Sequence, residues 1–254
     1  MCLIALAWQV HPEYPLVVVA NRDEYLDRPA MPAHWWHDAP DLLAGRDLEA
    51  GGTWLGLSRS GRFAALTNYR DPSRRHTGAP SRGKLVRQAL EANADALATL
   101  RGIAADSVRY AGFNLLASDG KSMAIHESTT GSVRLLAPGV YGLSNHLLDT
   151  PWPKLARARH LLAALLPRLP ADDEVLTLLR DDTVVADEEL PRTGVSLEWE
   201  RLLSPTFIRA PGYGTRCSSL IVVDRDGRTR FREWTWGEDG ALRSEVLHYY
   251  SISR

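Results

Sequence analysis

Pro15-Leu16-Val17-Val18-Val19-Ala20-Asn21-Arg22-Asp23-Glu24 joins an unbroken apolar run to four polar residues, three of them charged. A continuous apolar run that does not alternate belongs to a strand covered on both faces. The polar tetrad is therefore expected at the end of a central strand. Upstream, Cys2-Leu3-Ile4-Ala5-Leu6-Ala7-Trp8 is a second apolar run, and His11-Pro12-Glu13-Tyr14-Pro15 between them is turn-forming. Residues 2 to 9 and 15 to 21 should thus pair as a hairpin. Methionine is normally trimmed before a small residue, and a chain that begins at Cys2 carries a thiol and an α-amine on one residue. With ordinary pKa values near ~8.5 and ~8, one serves as base for the other at neutral pH.

Working outward, residues 26 to 41 hold Pro29, Pro32 and Pro40 around His34-Trp35-Trp36-His37 and are expected to form a loop, too rich in proline for regular structure. Leu42 to Asp47, Gly51-Gly52-Thr53-Trp54-Leu55-Gly56-Leu57 and Phe63 to Tyr69 read as strands, with a hairpin about Ser60-Gly61. The loop from Arg70 to Gly83 collects Arg70, Arg74, Arg75, His76 and Arg82, and one helix is expected from about Lys84 to Leu100. A hairpin about Asp119-Gly120-Lys121 and a short strand at Val133 to Leu136 follow. A helix should start near Pro153, with Leu155, Ala158, Leu162, Leu165 and Leu169 at helical spacing, and a second should cover Asp173 to Arg180. Residues 182 to 214 have no clear period and read as irregular. Arg216 to Val223 and Thr229 to Trp236 form a hairpin about Asp226-Gly227, and Val246 to Tyr250 is a last strand. Hairpins interrupted by helical segments argue for an α+β fold with two mainly antiparallel sheets, stacked and flanked by helices.

With 254 residues, 44% of them hydrophobic, the chain can bury a substantial core and is expected to form one domain over 1–254. Its 30 basic and 31 acidic residues leave a net charge of -1, which creates no general field for nucleic acid or an anionic membrane. Cys2 and Cys217 are the only cysteines, too few for a disulfide framework and suited to a reducing compartment. No apolar run approaches the ~20 residues of a membrane-spanning helix, and the start of the chain lacks the basic region of a secretory signal. A soluble, cytoplasmic protein is expected, with its oligomeric state open.

Five ordered motifs carry a resemblance that spans essentially the whole chain: Met1-Cys2, Asn21-Arg22-Asp23-Glu24, Gly51-Gly52-Thr53-Trp54-Leu55-Gly56, Thr67-Asn68-Tyr69-Arg70, and Ser144-Asn145 followed by Asp149 and Pro151-Trp152-Pro153-Lys154. Together they resemble the NRDE family, which includes the eukaryotic transport and Golgi organisation protein 2. The resemblance implies an N-terminal nucleophile hydrolase-like fold, a four-layer αββα sandwich, related to the cholylglycine hydrolase and penicillin acylase group. It also implies roles in haem trafficking and in lipid or acyl-coenzyme A handling.

On the hydrolase reading, the Cys2 thiolate attacks an amide carbonyl of a linear amide or acylated small molecule while its own amine shuttles the proton. Arg22 and Asp23 would orient that amine, Asn68 and Asn145 would donate to the oxyanion, and Arg216 heads the late strand where the related hydrolases also carry an arginine. Those hydrolases have an Arg-Asn-x-Asp order here. The one-position shift leaves Asp23 or Glu24 as the amine's partner. On the alternative reading the protein is a non-catalytic carrier, with haem or an acyl-coenzyme A as cargo. Asn21, Glu24, His34, Trp35, Trp36, Trp54 and Arg70 are then the ligand-binding residues, the tryptophans offering flat apolar surface and the arginine meeting propionates or phosphates. No required cofactor and no metal site are expected, and Cys217 is expected to be inert in a buried strand.

Overall fold

The computed structural model describes residues 2–73 and 78–253. In chain order the first elements are β1 (Cys2–Trp8), β2 (Leu16–Tyr25), β3 (Ala30–Trp36), β4 (Ala39–Asp47), β5 (Leu55–Ser58) and β6 (Phe63–Asn68). Helices α1 (Gly83–Glu91) and α2 (Ala96–Ala105) come next, then β7 (Phe113–Ser118), β8 (Met123–Glu127), β9 (Ser132–Leu135) and β10 (Gly139–Leu143). The last third contains α3 (Pro153–Leu165), α4 (Asp172–Leu179), α5 (Leu197–Leu202), β11 (Arg209–Ala210), β12 (Tyr213–Val223), β13 (Arg228–Trp236) and β14 (Leu242–Ser251).

Two compact units divide the chain. One comprises Met1–Asp27, Arg70–Ser73 and Pro138–Tyr249, the other Arg28–Tyr69, Arg74–Ala137 and Tyr250–Arg254. The first is built on a sheet of order β10-β1-β2-β12-β13-β14, with β11 added beside β12. Side chains alternate across a strand, so Leu3, Ala5 and Ala7 fall on one face. Val17, Val19, Leu220, Val222, Trp234 and Trp236 join them there, and α3 and α4 lay Leu155, Ala158, Leu162, Val175, Leu178 and Leu179 onto that face. Gly142 of β10 permits this approach, because a Cβ there would sit 2.8 Å from Leu155 Cγ. On the opposite face Ile4, Leu6, Val18, Ala20 and Ile221 are also fully buried. The continuous apolar run of β2 thus has the two-sided cover its sequence requires.

The second unit carries a sheet of order β3-β4-β5-β6-β7-β8-β9. On one of its faces Leu42, Ala44, Ala64, Leu66, Leu115 and Ala117 pack with Leu85, Val86 and Leu90 of α1 and with Leu100 and Ile103 of α2. Every strand pairing described in the two sheets is antiparallel. The expected α+β class holds.

Four local expectations need correction. Residues 26 to 41 are not a loop: they supply β3 and the start of β4. Proline is tolerated in edge strands and at bulges, and Pro32 has both conditions, on an edge strand where the register shifts between Met31 and His34. The single helix expected from Lys84 to Leu100 is two, because Asp95 caps a new helix by accepting a hydrogen bond from Ala98 N at 2.8 Å. β2 does not end at the polar tetrad but runs through it to Tyr25, where it finds partners in β12. Residues 182 to 214 contain α5, β11 and the first residues of β12. In addition, β10 had no signal, its Gly-Val-Tyr-Gly-Leu being too short and too rich in glycine. Arg74, Arg75 and His76 of the basic loop lie outside the described residues.

Candidate functional site

The register of three strands assembles the site in the first unit. Cys2 of β1 stands opposite Arg22 of β2, and Cys217 of β12 stands opposite Arg22 on its other side. Directly paired residues share a face, so the two thiols flank one guanidinium. Strands two places apart are about 9–10 Å apart, beyond the reach of a disulfide, and both cysteines are free. Glu24, two residues along the same face, reaches Arg22 Nη2 at 3.7 Å.

Asn21 and Asp23 point to the other face. Asn21, fully buried, donates through Nδ2 to Leu179 O at 2.8 Å and Thr206 O at 2.9 Å, and accepts from Ser218 Oγ at 2.6 Å. Asp23, 1% exposed, accepts from Thr215 Oγ1 at 2.7 Å. The tetrad is thereby split by strand alternation. Arg22 and Glu24 share the Cys2 side, while on the other face Asn21 holds Thr206 of the irregular segment ahead of β12 and Asp23 takes Thr215 of β12 itself.

Cys2 is 7% exposed, and burial pushes its thiol up to about 11. The β1–β10 register, which sets Ile4 against Leu143, carries the residues after β10 to the same end of the sheet. There Ser144 Oγ donates to Cys2 O at 3.0 Å and lies 3.4 Å from Asn145 Oδ1. Asn145, fully buried, accepts from Arg70 N through its own carbonyl at 2.7 Å. The structure therefore gathers Cys2, Arg22, Asp23 and Asn145 at one end of one sheet. Arg216 belongs to this end too, as the extra residue of a bulge between Thr215 and Cys217, with Nη1 donating to Tyr25 O at 2.7 Å.

Arg70, the first residue of the basic loop, is buried. Its Nη1 donates to Glu200 Oε2 at 2.9 Å and its guanidinium carbon lies 4.9 Å from the centre of the Trp152 ring. Glu200 Oε1 accepts from Thr193 N and Oγ1 at 2.8 and 2.6 Å. Beside this pair lies Lys154, 3% exposed, whose Nζ donates to Leu203 O at 2.7 Å and reaches Pro205 O at 3.5 Å. Burial pulls its ammonium group down to about 8. A cavity of about 10 Å³, bordered by Arg70, Trp152, Lys154, Glu200 and Ser204, is the size of about one water molecule.

Sequence reasoning assigned no role to Lys154, Ser144, Thr215 or Glu200. Lys154 did carry a signal: it stands in helical register with Ala158, Leu162 and Leu165, so it falls on the buried stripe of α3. The other three have no pattern that marks them.

The remaining sequence candidates lie in the second unit. Asn68 is the last residue of β6, paired with Phe113. Trp54 accepts from Leu66 N through its carbonyl at 2.7 Å. Trp36 is a core residue, 1% exposed, with its indole N–H donating to Ala44 O at 3.0 Å. Trp35 lies edge-on to Tyr250 and under Arg59, and His34 Nδ1 is 2.7 Å from Pro32 O. Among the described residues no group of three or more His, Cys, Asp or Glu is arranged to hold a metal ion, and no helix is long and apolar enough to cross a membrane.

The mutant C2A conjugated bile acid hydrolase from Clostridium perfringens superimposes with a TM-score of 0.50 at 8% identity, over 100% of this chain and 97% of that one. This likeness is one of fold, and it bears out the N-terminal nucleophile hydrolase-like class. The Transport and Golgi organization protein 2 homolog of Bos taurus is 38% identical over 278 residues, covering 99% of each chain. Its Homo sapiens counterpart is 36% identical over 258 residues, covering 92% of each. The family model described as Transport and Golgi organisation 2 matches residues 1–238, and the chain belongs to that family.

Proposed function

We propose that this protein is an N-terminal nucleophile-type hydrolase in which the Cys2 thiol cleaves a linear amide or acylated small molecule. The observation that carries this reading is the placement of Cys2. It opens an inner strand, with Arg22 beside it on the same face, Ser144 at its main-chain oxygen and Asn145 next to Ser144. A thiol held near 11 by burial is protonated at neutral pH, so the arginine alone does not make it a nucleophile. A base is needed at the sulfur. Removal of Met1 would supply one in the α-amine of Cys2 itself.

In that reaction the amine takes the thiol proton as sulfur bonds to the amide carbonyl carbon, and negative charge collects on the carbonyl oxygen. Asn145 supplies the amide donor for that charge from this unit. Collapse breaks the C–N bond, the proton passes to the departing amine, and a thioester remains. Water then attacks the thioester, with the same amine as base, and restores the thiol.

The test begins with the intact mass of protein made in its native host, which should show Met1 removed. A panel of acyl amides of 7-amino-4-methylcoumarin should release the fluorescent amine, and Cys2→Ala should lower that rate by about 10³-fold or more. Retention of Met1, or equal turnover by Cys2→Ala, overturns the nucleophile assignment, and no turnover of any amide in the panel favours a carrier for haem or an acyl-coenzyme A.

A further inference from the structure

Of the 30 basic residues only three are lysine: Lys84, Lys121 and Lys154. The first two are exposed, and the third is buried among charges. Arginine stays charged in almost any protein setting, whereas a buried lysine responds to its neighbours. A titratable cation therefore occupies the one lysine position that is sealed from water.

We propose that Lys154 is a positioning residue for the Cys2 site, clamping the segment that holds Asp23 and serving as the countercharge to the Asp23 carboxylate. The inference rests on the Cys2 reading, in which Asp23 is one of the two carboxylates, with Glu24, open to the freed α-amine.

The clamp is a chain of short contacts. Lys154 Nζ holds the carbonyls of Leu203 and Pro205. Residues 203–208 are buried and irregular, so their main-chain groups need partners from outside the segment. Asn21 takes Thr206 O, Asp181 O receives Phe207 N at 2.8 Å, and Thr215 Oγ1 receives Ile208 N at 2.9 Å. The same Thr215 hydroxyl donates to Asp23 Oδ1. The lysine end of this chain lies on the first turn of α3 and the aspartate end on β2.

The electrostatics run in parallel. After burial itself, Asp23 is the largest influence on Lys154, and Lys154 is the largest on Asp23. Burial raises the Asp23 carboxyl while Lys154 opposes the rise; burial lowers the Lys154 ammonium while Asp23 opposes the fall. Other charged or titratable groups that act on this pair include Cys2 of β1, Arg70, Glu200 of α5 and Tyr213 of β12. Arg70 and Glu200 face each other at 2.9 Å, and among the described residues no carboxylate forms an ion pair with Lys154.

Carbon-13 labelling of lysine Cε gives a test that needs no substrate, since three lysines give three signals. Lys84 and Lys121 serve as exposed references, and Lys154 should titrate near 8. In Asp23→Asn its midpoint should fall by about one pH unit, a tenfold change in proton affinity. Reciprocally, carboxyl-labelled aspartate should show the Asp23 midpoint raised by a similar amount in Lys154→Met and little changed in Lys154→Arg. Linkage requires the two shifts to agree. A Lys154 midpoint indifferent to Asp23→Asn overturns the proposal, and this holds whether or not Lys154→Met folds. Failure of the hydrolase reading has a separate signature: no coumarin amide is cleaved although the two titrations are coupled.

Discussion

The Asn21–Glu24 tetrad of the first unit and the Gly51–Gly56 stretch of the second are both family motifs, and they serve different physical ends. In the tetrad every residue is buried or nearly so and is engaged through its side chain: Asn21 to main-chain oxygens, Arg22 to Glu24, Asp23 to Thr215. In the glycine stretch the important feature is the absence of side chains. A Cβ on Gly52 would lie 2.6 Å from the carbonyl carbon of Gly83, and one on Gly56 would lie 2.8 Å from Ala44 Cβ. Thr53 completes the contact with its main-chain N–H, which donates to Gly83 O at 3.3 Å. A recurring motif is therefore no guide to chemistry until its side chains are placed. The first region concentrates buried charge, and the second brings the segment ahead of β5 and the start of α1 into backbone contact.

The sharpest way to break this contrast is to leave a charge uncompensated in the first unit. Glu200→Ala removes the partner of Arg70, where both side chains are only 4–5% exposed. Breaking such a pair costs about 3–5 kcal/mol, and urea unfolding should show it; a loss under about 1 kcal/mol would mean that the pair is hydrated instead of buried. Next in size is Gly52→Ala in the second unit. The added methyl has to displace backbone, so overpacking should cost about 1–3 kcal/mol, read in the same experiment, and a neutral substitution would remove the close-contact account of the motif.

The smallest effect concerns pH. His126 of β8 is fully buried, with Nδ1 3.1 Å from Ser132 O and no hydrogen-bond partner for Nε2 among the described residues. Burial lowers its pKa, so the folded protein keeps it neutral while the unfolded chain takes up a proton near ~6.5. Its contribution to stability is complete above that unfolded value and is lost as pH falls through the folded one. One proton limits the slope to about 1.4 kcal/mol per pH unit. His126→Leu should flatten the stability profile between pH 7 and pH 5, and an unchanged slope would show that His126 is not the group responsible.

The sequence by itself determined the strands whose apolar runs leave no alternative, β1, β2, β12 and β13, along with α3, whose period is helical from Pro153 to Leu165. It also marked Cys2 and the tetrad as the place to look, because polar residues directly after a buried run need partners. It failed where a local rule was overridden by pairing. Pro32 reads as a strand breaker until an edge position and a bulge accommodate it, and Asn21 to Glu24 read as a strand end until β12 extends the ladder past them. Only the tertiary structure decided how the tetrad is divided between two faces of a sheet, and that Lys154, Thr215 and Ser144 converge on its two sides from positions 100 or more residues away. The reason is physical. Alternation and burial are local properties that residue order encodes, whereas register and the partners of a buried charge depend on which strands and helices meet.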